Sequence, residues 1–210
     1  MAASQPLQLP HSLLLIRHGP PEIDPERAAT QWPLSPESRS RCLMLFVRFA
    51  HVPVDRVISS EEPKARETAH LLAEQRGVPV ESHPGLNEQR RDHHWLDDAA
   101  FRDAVRTVLR HPTLQVFNAE TGEAARQRFA TTVADISARY PGEALALVSH
   151  GTVLSLFLSQ LIDEPADVIW DGMGFPAAYC VSGSPPRLSL RLDTLPEPRP
   201  RTPGRSGICS

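Results

Sequence analysis

Apolar and polar positions along this chain fall into two alternating kinds of block. Leu13 to Ile16 is an unbroken apolar run of strand length, the pattern of a strand covered on both faces. After a polar loop, Ser35 and Pro36 stand in the preferred cap and first-turn order, and Cys42, Leu45, Phe46 and Phe49 recur on one face of the helix this predicts. Val57 to Ser59 reads as a second strand. In SSEEPKARETAHLLAEQRG an apolar stripe runs through Ala65, Ala69, Leu72 and Ala73. Ser59 with Glu62 three positions later predicts a capping box for that helix, and Gly77 with Pro79 stops it.

A third helix is expected from Asp98 to Arg110, with Phe101, Val105, Val108 and Leu109 inward. A fourth runs from Thr121 to Tyr140 on Ala125, Phe129, Val133 and Ile136, and Pro141 and Gly142 end it. Ala144 to Val148 is another apolar strand, VLSLFLSQLI a strongly apolar helix, and Tyr179 to Val181 with RLSLRLD from Arg187 supply closing strands. Strands alternating with helices give an α/β fold with a largely parallel sheet.

Composition narrows this picture. With 210 residues, 40% of them hydrophobic, the chain can build one substantial core. The division expected is an N-terminal extension at 1–11, one catalytic domain at 12–193 and a flexible Pro-rich tail at 194–210, whose LPEPRPRTPGRSGICS has no periodicity. A net charge of -3 provides no overall basic field for nucleic acid or an anionic membrane. No apolar run has membrane-spanning length and the start lacks a secretory pattern, so a cytoplasmic location is expected. Cys42, Cys180 and Cys209 are far apart and form no CxxC pair, which argues against a disulfide framework or a thiolate zinc site. Cys42 and Cys180 read as small buried hydrophobes.

One short pattern recurs: an apolar run ending in His-Gly, as LLLIRHG early and ALALVSHG late. Both His18 and His150 then stand just past the carboxyl end of a buried strand, the edge where open α/β sheets bind ligands. Gly19 and Gly151 let the backbone approach a ligand closely. Lys64 falls in the first turn of a helix that also follows a strand, where free N–H groups favour an anion. Arg17 adds a planar fork of donors suited to phosphate oxygens. A histidine among such groups can attack phosphorus, and the leaving oxygen then needs a proton. Glu88 in GLNEQRR is the candidate donor, a role that calls for a raised pKa or local shielding. Arg90 and Arg91, with His93 and His94, are candidates for a second anionic group of the substrate. Adjacent histidines point apart on a regular element and no zinc-type spacing occurs, so no metal site and no cofactor are expected. Trp32, Trp95 and Trp170 fall in or near loops, with Trp95 a candidate for the pocket wall.

The joint order, RHG after the first strand, a Ser-Ser helix start with a basic residue, Glu after LN, ETGEA at Glu120 to Ala124 and a late SHG, resembles the histidine phosphatase superfamily, the phosphoglycerate-mutase-like group. The resemblance covers Ser12 to Asp193. It implies a three-layer α/β/α sandwich and metal-independent hydrolysis of small phosphomonoesters through a phosphohistidine on His18. Arg17, Lys64, His150 and Gly151 would hold phosphate, and Glu88 would give the proton. Lys64 stands where that family commonly has arginine, and Ser38 where it has glycine. The partner implied is a small phosphorylated metabolite, and a homo-oligomer is compatible with the sequence. Two alternatives are a phosphate-transferring mutase of the same fold and a non-catalytic phosphometabolite-binding module.

Overall fold

The computed structural model describes residues 12–92, 96–183 and 185–193; Cys209, the Pro-rich tail, His93, His94 and Trp95 lie outside the described residues. Ser12–Arg17 forms strand β1, and its apolar run is divided between two cores. Leu13 and Leu15 enter one, Leu14 and Ile16 the other. The strand Leu145–Ser149, β4, splits likewise, with Leu147 on the first side and Val148 on the second. This two-sided burial is why both segments read as continuous apolar runs.

β4 lies parallel to β1 in a register that sets Leu13 opposite Leu145 and Arg17 opposite Ser149. On its other side β4 pairs in parallel with β2, Arg56–Ser59, and β2 with β3, Val80–Ser82. β5, Ala177–Ser182, runs antiparallel to β1, and β6, Arg187–Leu192, antiparallel to β5. The mixed sheet, mostly parallel, has the order β3-β2-β4-β1-β5-β6.

Helices α1, Ser38–Arg48, and α2, Pro63–Arg76, cover one face through Cys42, Leu45, Phe46, Ala65, Ala69 and Leu72. The other face carries α4, Gly122–Arg139, and α5, Gly151–Leu158, where Phe129 and Phe157 meet with ring centroids 5.2 Å apart. Outside them α3, Asp98–Arg110, and α6, Ala166–Gly172, close a smaller cluster around Val105, Leu156 and Trp170. The result is the expected three-layer α/β/α sandwich. Cys42 and Cys180 are buried and free. Among the described residues no helix is long and apolar enough to cross a membrane.

Local expectations needed correction at several points. α1 begins at Ser38, with Glu37 rather than Ser35 as its N-cap: the Ser35 hydroxyl pairs with the Ser38 hydroxyl and caps no helix N–H, and the Ser35 N–H bonds the Pro20 carbonyl. The Ser38 hydroxyl also donates to that carbonyl, tying the helix start to the segment after His18. The Ser59–Glu62 capping box does not form: Ser59 stays in β2, and Glu62 is itself the N-cap, ahead of Pro63 in the first turn. α3 and α4 do carry side-chain caps, Asp97 accepting from Ala100 N at 2.8 Å and Thr121 from Ala124 N at 3.1 Å. β3 and α6 gave no periodic signal, and α6 places Trp170 on the buried face of a helix rather than in a loop.

A short 3-10 turn at Pro84–Leu86 leads from β3 toward the site and presses on α4. A Cβ on Gly85 would lie 1.9 Å from Thr132 Oγ1. Gly85→Ala must therefore push the turn off α4 and is expected to cost about 1–3 kcal/mol in urea unfolding. An unchanged unfolding midpoint would show that the two elements are not in this contact.

Candidate active site

Because β1 and β4 are parallel neighbours in this register, the residues that follow them emerge side by side at the carboxyl edge. The rings of His18 and His150 are 5.0 Å apart at 63°, and their residues are 4% and 1% exposed. The His18 N–H extends the ladder by bonding to Ser149 O. His18 Nδ1 lies 2.6 Å from the carbonyl of Gly19. A carbonyl only accepts, so Nδ1 carries the hydrogen and Nε2 keeps its lone pair. Gly19 is fixed in turn, its N–H bonding Thr68 Oγ1 and its α-carbon so close to Cys42 that an added Cβ would stand 2.8 Å from the sulfur. Burial, then the neighbouring His150, Lys64 and Arg17, push the His18 pKa well below its ordinary value, so the ring is neutral.

Arg17 is held in a flat slot. The Phe175 ring covers the guanidinium at 3.4 Å from its centroid, Nη1 donates to Met173 O, and a Cβ on Gly151 would come within 3.0 Å of Cζ. Gly151 is thus the residue that admits the guanidinium, whose Nε is buried without a hydrogen-bond partner among the described residues. Burial lowers the Arg17 pKa to about 10, which leaves it charged at neutral pH.

A polar chain orients His150. Ser60 Oγ donates to Asn87 Oδ1 at 3.0 Å and accepts from Glu62 N, so toward His150 Nε2, 2.7 Å away, it acts as acceptor. His150 therefore carries its hydrogen on Nε2, while its buried Nδ1 is bare and unpartnered. Burial lowers its pKa to about 4 despite the opposing pull of Glu62. Glu62, 5% exposed, stands 3.5 Å from His150 Nε2, bonds Lys64 Nζ at 2.6 Å and accepts from Glu88 N. Lys64 also donates to Ala29 O. It is buried beside the histidines as a charge already matched by a carboxylate.

Glu88 occupies the N-terminus of α5. Its carboxylate accepts from Gln89 N, Thr152 N and Val153 N, with Arg91 at 3.8 Å. Burial opposes ionisation, but Arg91, His150 and these N–H groups outweigh it and hold the pKa down to about 2. Of the two expectations for Glu88, a raised value is not met, while the carboxylate is shielded, its side chain only 17% exposed. Arg91 turns inward behind Glu88, donating to Thr152 Oγ1 and lying between Phe101 and Phe117. Arg90 is exposed and lines, with Thr30, Glu61, Glu62, Asn87 and Glu88, a hollow of about 210 Å³ beside the site. A larger hollow of about 560 Å³ near Arg110, Gln160 and Asp167 touches none of the residues singled out for chemistry. The smaller one is the relevant one.

The structure brings Arg17, His18, Lys64, Glu88, His150 and Gly151 together. Arg17, Lys64 and Arg91 against Glu62 and Glu88 leave one positive charge in excess, enough to favour an anion without a strongly basic field. Sequence reasoning missed Ser60, Glu62, Asn87 and Phe175. Ser60 and Glu62 were visible only as helix-start residues, and nothing local marked Phe175 as the cover of an arginine in β1. Among the described residues no group of three or more His, Cys, Asp or Glu could hold a metal ion.

Known proteins resemble this chain in sequence and in fold. A sequence profile of the histidine phosphatase superfamily (branch 1) matches residues 13–183. The adenosylcobalamin/alpha-ribazole phosphatase of Salmonella typhimurium is 32% identical over 171 residues, 75% of this chain and 83% of that protein. The protein of the same description from Escherichia coli is 31% identical over 75% of this chain and 82% of its own length. Among solved structures, a mycobacterial glucosyl-3-phosphoglycerate phosphatase superposes with a TM-score of 0.71 at 20% identity, covering 88% of this chain and 99% of that one. On its sequence and its fold, this chain belongs to the histidine phosphatase superfamily.

Proposed function

We propose that this chain is a metal-independent phosphomonoesterase that works through a phosphohistidine on His18. One observation carries the reading: a neutral histidine with its Nε2 lone pair free stands beside Arg17, whose buried Nε has no partner. Such a pairing suits phosphoryl capture, in which Arg17 grips the phosphoryl oxygens and the bare His150 Nδ1 accepts from the O–H of the phosphate monoanion. Lys64 contributes field more than a contact, since its ammonium is engaged by Glu62 and Ala29.

In the first step the Nε2 lone pair of His18 forms the N–P bond. The P–O ester bond breaks, and its electron pair leaves on the alcohol oxygen, which takes, through Glu88, the proton that the substrate monoanion brings. In the second step water attacks phosphorus and gives its proton to Glu88. The N–P bond breaks and its pair returns to Nε2. The hollow beside Glu88, at about 210 Å³, has room for water, which would favour hydrolysis over transfer to a second hydroxyl. Its lining, including Arg90, would meet the alcohol portion of a small phosphorylated metabolite. The relatives suggest alpha-ribazole phosphate and glucosyl-3-phosphoglycerate for the substrate panel.

The direct test assays that panel, with phosphoserine and an aryl phosphate, in the presence of chelator. Phosphate release that His18→Ala abolishes is expected. Binding without turnover of any ester would remove the phosphatase reading, and loss of turnover in chelator would remove metal independence.

The pKa shifts also set a pH profile. Glu88, held to about 2, is ionised in the free protein at any working pH, and His18 is neutral. The proton that departs with an alkyl alcohol must then arrive on the substrate monoanion. Its fraction falls tenfold per pH unit above the ester's second pKa, about 6. For alkyl phosphates kcat/KM should be highest on the acid side and fall through pH 6 to 8. A flat profile over that range would contradict this route for the proton.

A further inference from the structure

Glu88 and Asn87 sit in a loop without regular structure after the 3-10 turn, yet both must hold their places to a fraction of an ångström. The groups that fix this loop come from α4 and from the residue two positions before its first turn. Arg128 reaches under the loop and donates through Nη1 to Gly85 O at 2.8 Å and Asn87 O at 2.9 Å, and through Nη2 to Glu88 O at 3.2 Å. Its remaining donors, Nε and Nη2, form a bidentate pair with Glu120 at 2.9 Å each. All five guanidinium N–H groups are thereby used, a geometry lysine cannot copy. Glu120 closes the clasp from the other side. Its Oε2 accepts from Arg90 N, its N–H bonds Arg90 O, and its carbonyl accepts from Gln89 Nε2. The pair is largely buried, with side chains 17% and 10% exposed.

The loop so held makes two connections into the site. Glu88 reaches the N-terminus of α5, and Asn87 Oδ1 accepts from the Ser60 hydroxyl that sets the His150 ring. Neither Arg128 nor Glu120 touches either catalytic candidate's reacting atoms. We propose that Arg128, braced by Glu120, is a positioning residue that fixes the 85–90 loop so that Glu88 can exchange a proton with the ester oxygen and Asn87 can hold the His150 ring through Ser60. The proposal rests on the phosphatase reading above.

Fixing the loop has a specific kinetic signature in kcat/KM, which reports the steps up to release of the alcohol: there a displaced Glu88 harms only esters whose leaving oxygen needs a proton. Arg128→Ala should lower kcat/KM for alkyl phosphates by about 10- to 100-fold, the scale of a 1 Å misplacement. It should change kcat/KM for aryl phosphates, whose leaving group needs no proton, only a few-fold. In a Glu88→Gln background the same substitution should cost little more on alkyl esters, since both changes remove one function. Arg128→Lys is expected to fall close to Arg128→Ala, and added guanidinium ion to restore part of the alkyl activity of Arg128→Ala. If Arg128→Ala does not fold, Glu120→Gln, which weakens the brace and keeps the arginine, carries the same leaving-group test. Equal losses on both ester classes, or losses that add to Glu88→Gln, would overturn the positioning role. A wild-type protein without turnover would instead remove the phosphatase reading, and this proposal with it.

Discussion

The parallel pairing of β1 with β4 is the constraint on which the rest depends. Their register places Arg17 opposite Ser149, so the next residue of each strand, His18 and His150, leaves the sheet at one point. Everything else in the site reaches that point from the sides. α2 brings Lys64 and its N-cap Glu62, the loop after β3 brings Asn87 and Glu88, and the segment before β5 brings Met173 and Phe175. Burial of both strands on two faces fixes the register, because a slip of one residue would exchange the side chains between the two cores.

The electrostatics follow from that burial. Two histidines removed from water beside cations stay neutral, which keeps a lone pair available at His18 Nε2. The price is a pair of buried carboxylates, each answered locally: Glu62 by Lys64, and Glu88 by Arg91 and the amides of α5. The N-terminus of α5, which would suit phosphate, thus belongs to Glu88. That leaves Arg17, whose plane is set by Phe175 and Gly151, as the group proposed to take phosphate. The lysine in the position usually held by arginine and the buried Glu62 two residues before it form one unit, and neither makes sense alone.

Much of this was legible in the chain. The apolar runs LLLI and ALALV mark buried strands because both faces are covered, and the repeated His-Gly after them points to one sheet edge. The long amphipathic helices α3 and α4 also declared their positions. What local pattern could not reveal were contacts between distant segments. Ser35 and Ser59 look like helix caps, yet the Ser35 hydroxyl is claimed by Ser38 and Ser59 never leaves β2. Arg91, read as a residue facing substrate, is drawn inward by Phe101 and Phe117, whose approach depends on packing of α3. Glu88 was singled out by its place after LN, but its low pKa comes from Arg91, from His150 and from amides that include those of a helix sixty-odd residues further on.

The central claim is that His18 Nε2 becomes covalently bonded to phosphorus during turnover. Rapid acid-free quenching of the protein with a fast aryl phosphate, followed by intact-mass and peptide analysis, tests it most directly. The account predicts one added phosphoryl group on the peptide holding Arg17 and His18, lost on brief acid treatment and absent in His18→Ala. Steady turnover with no phosphoryl group on His18 at any quench time, or with one on another residue, would contradict it.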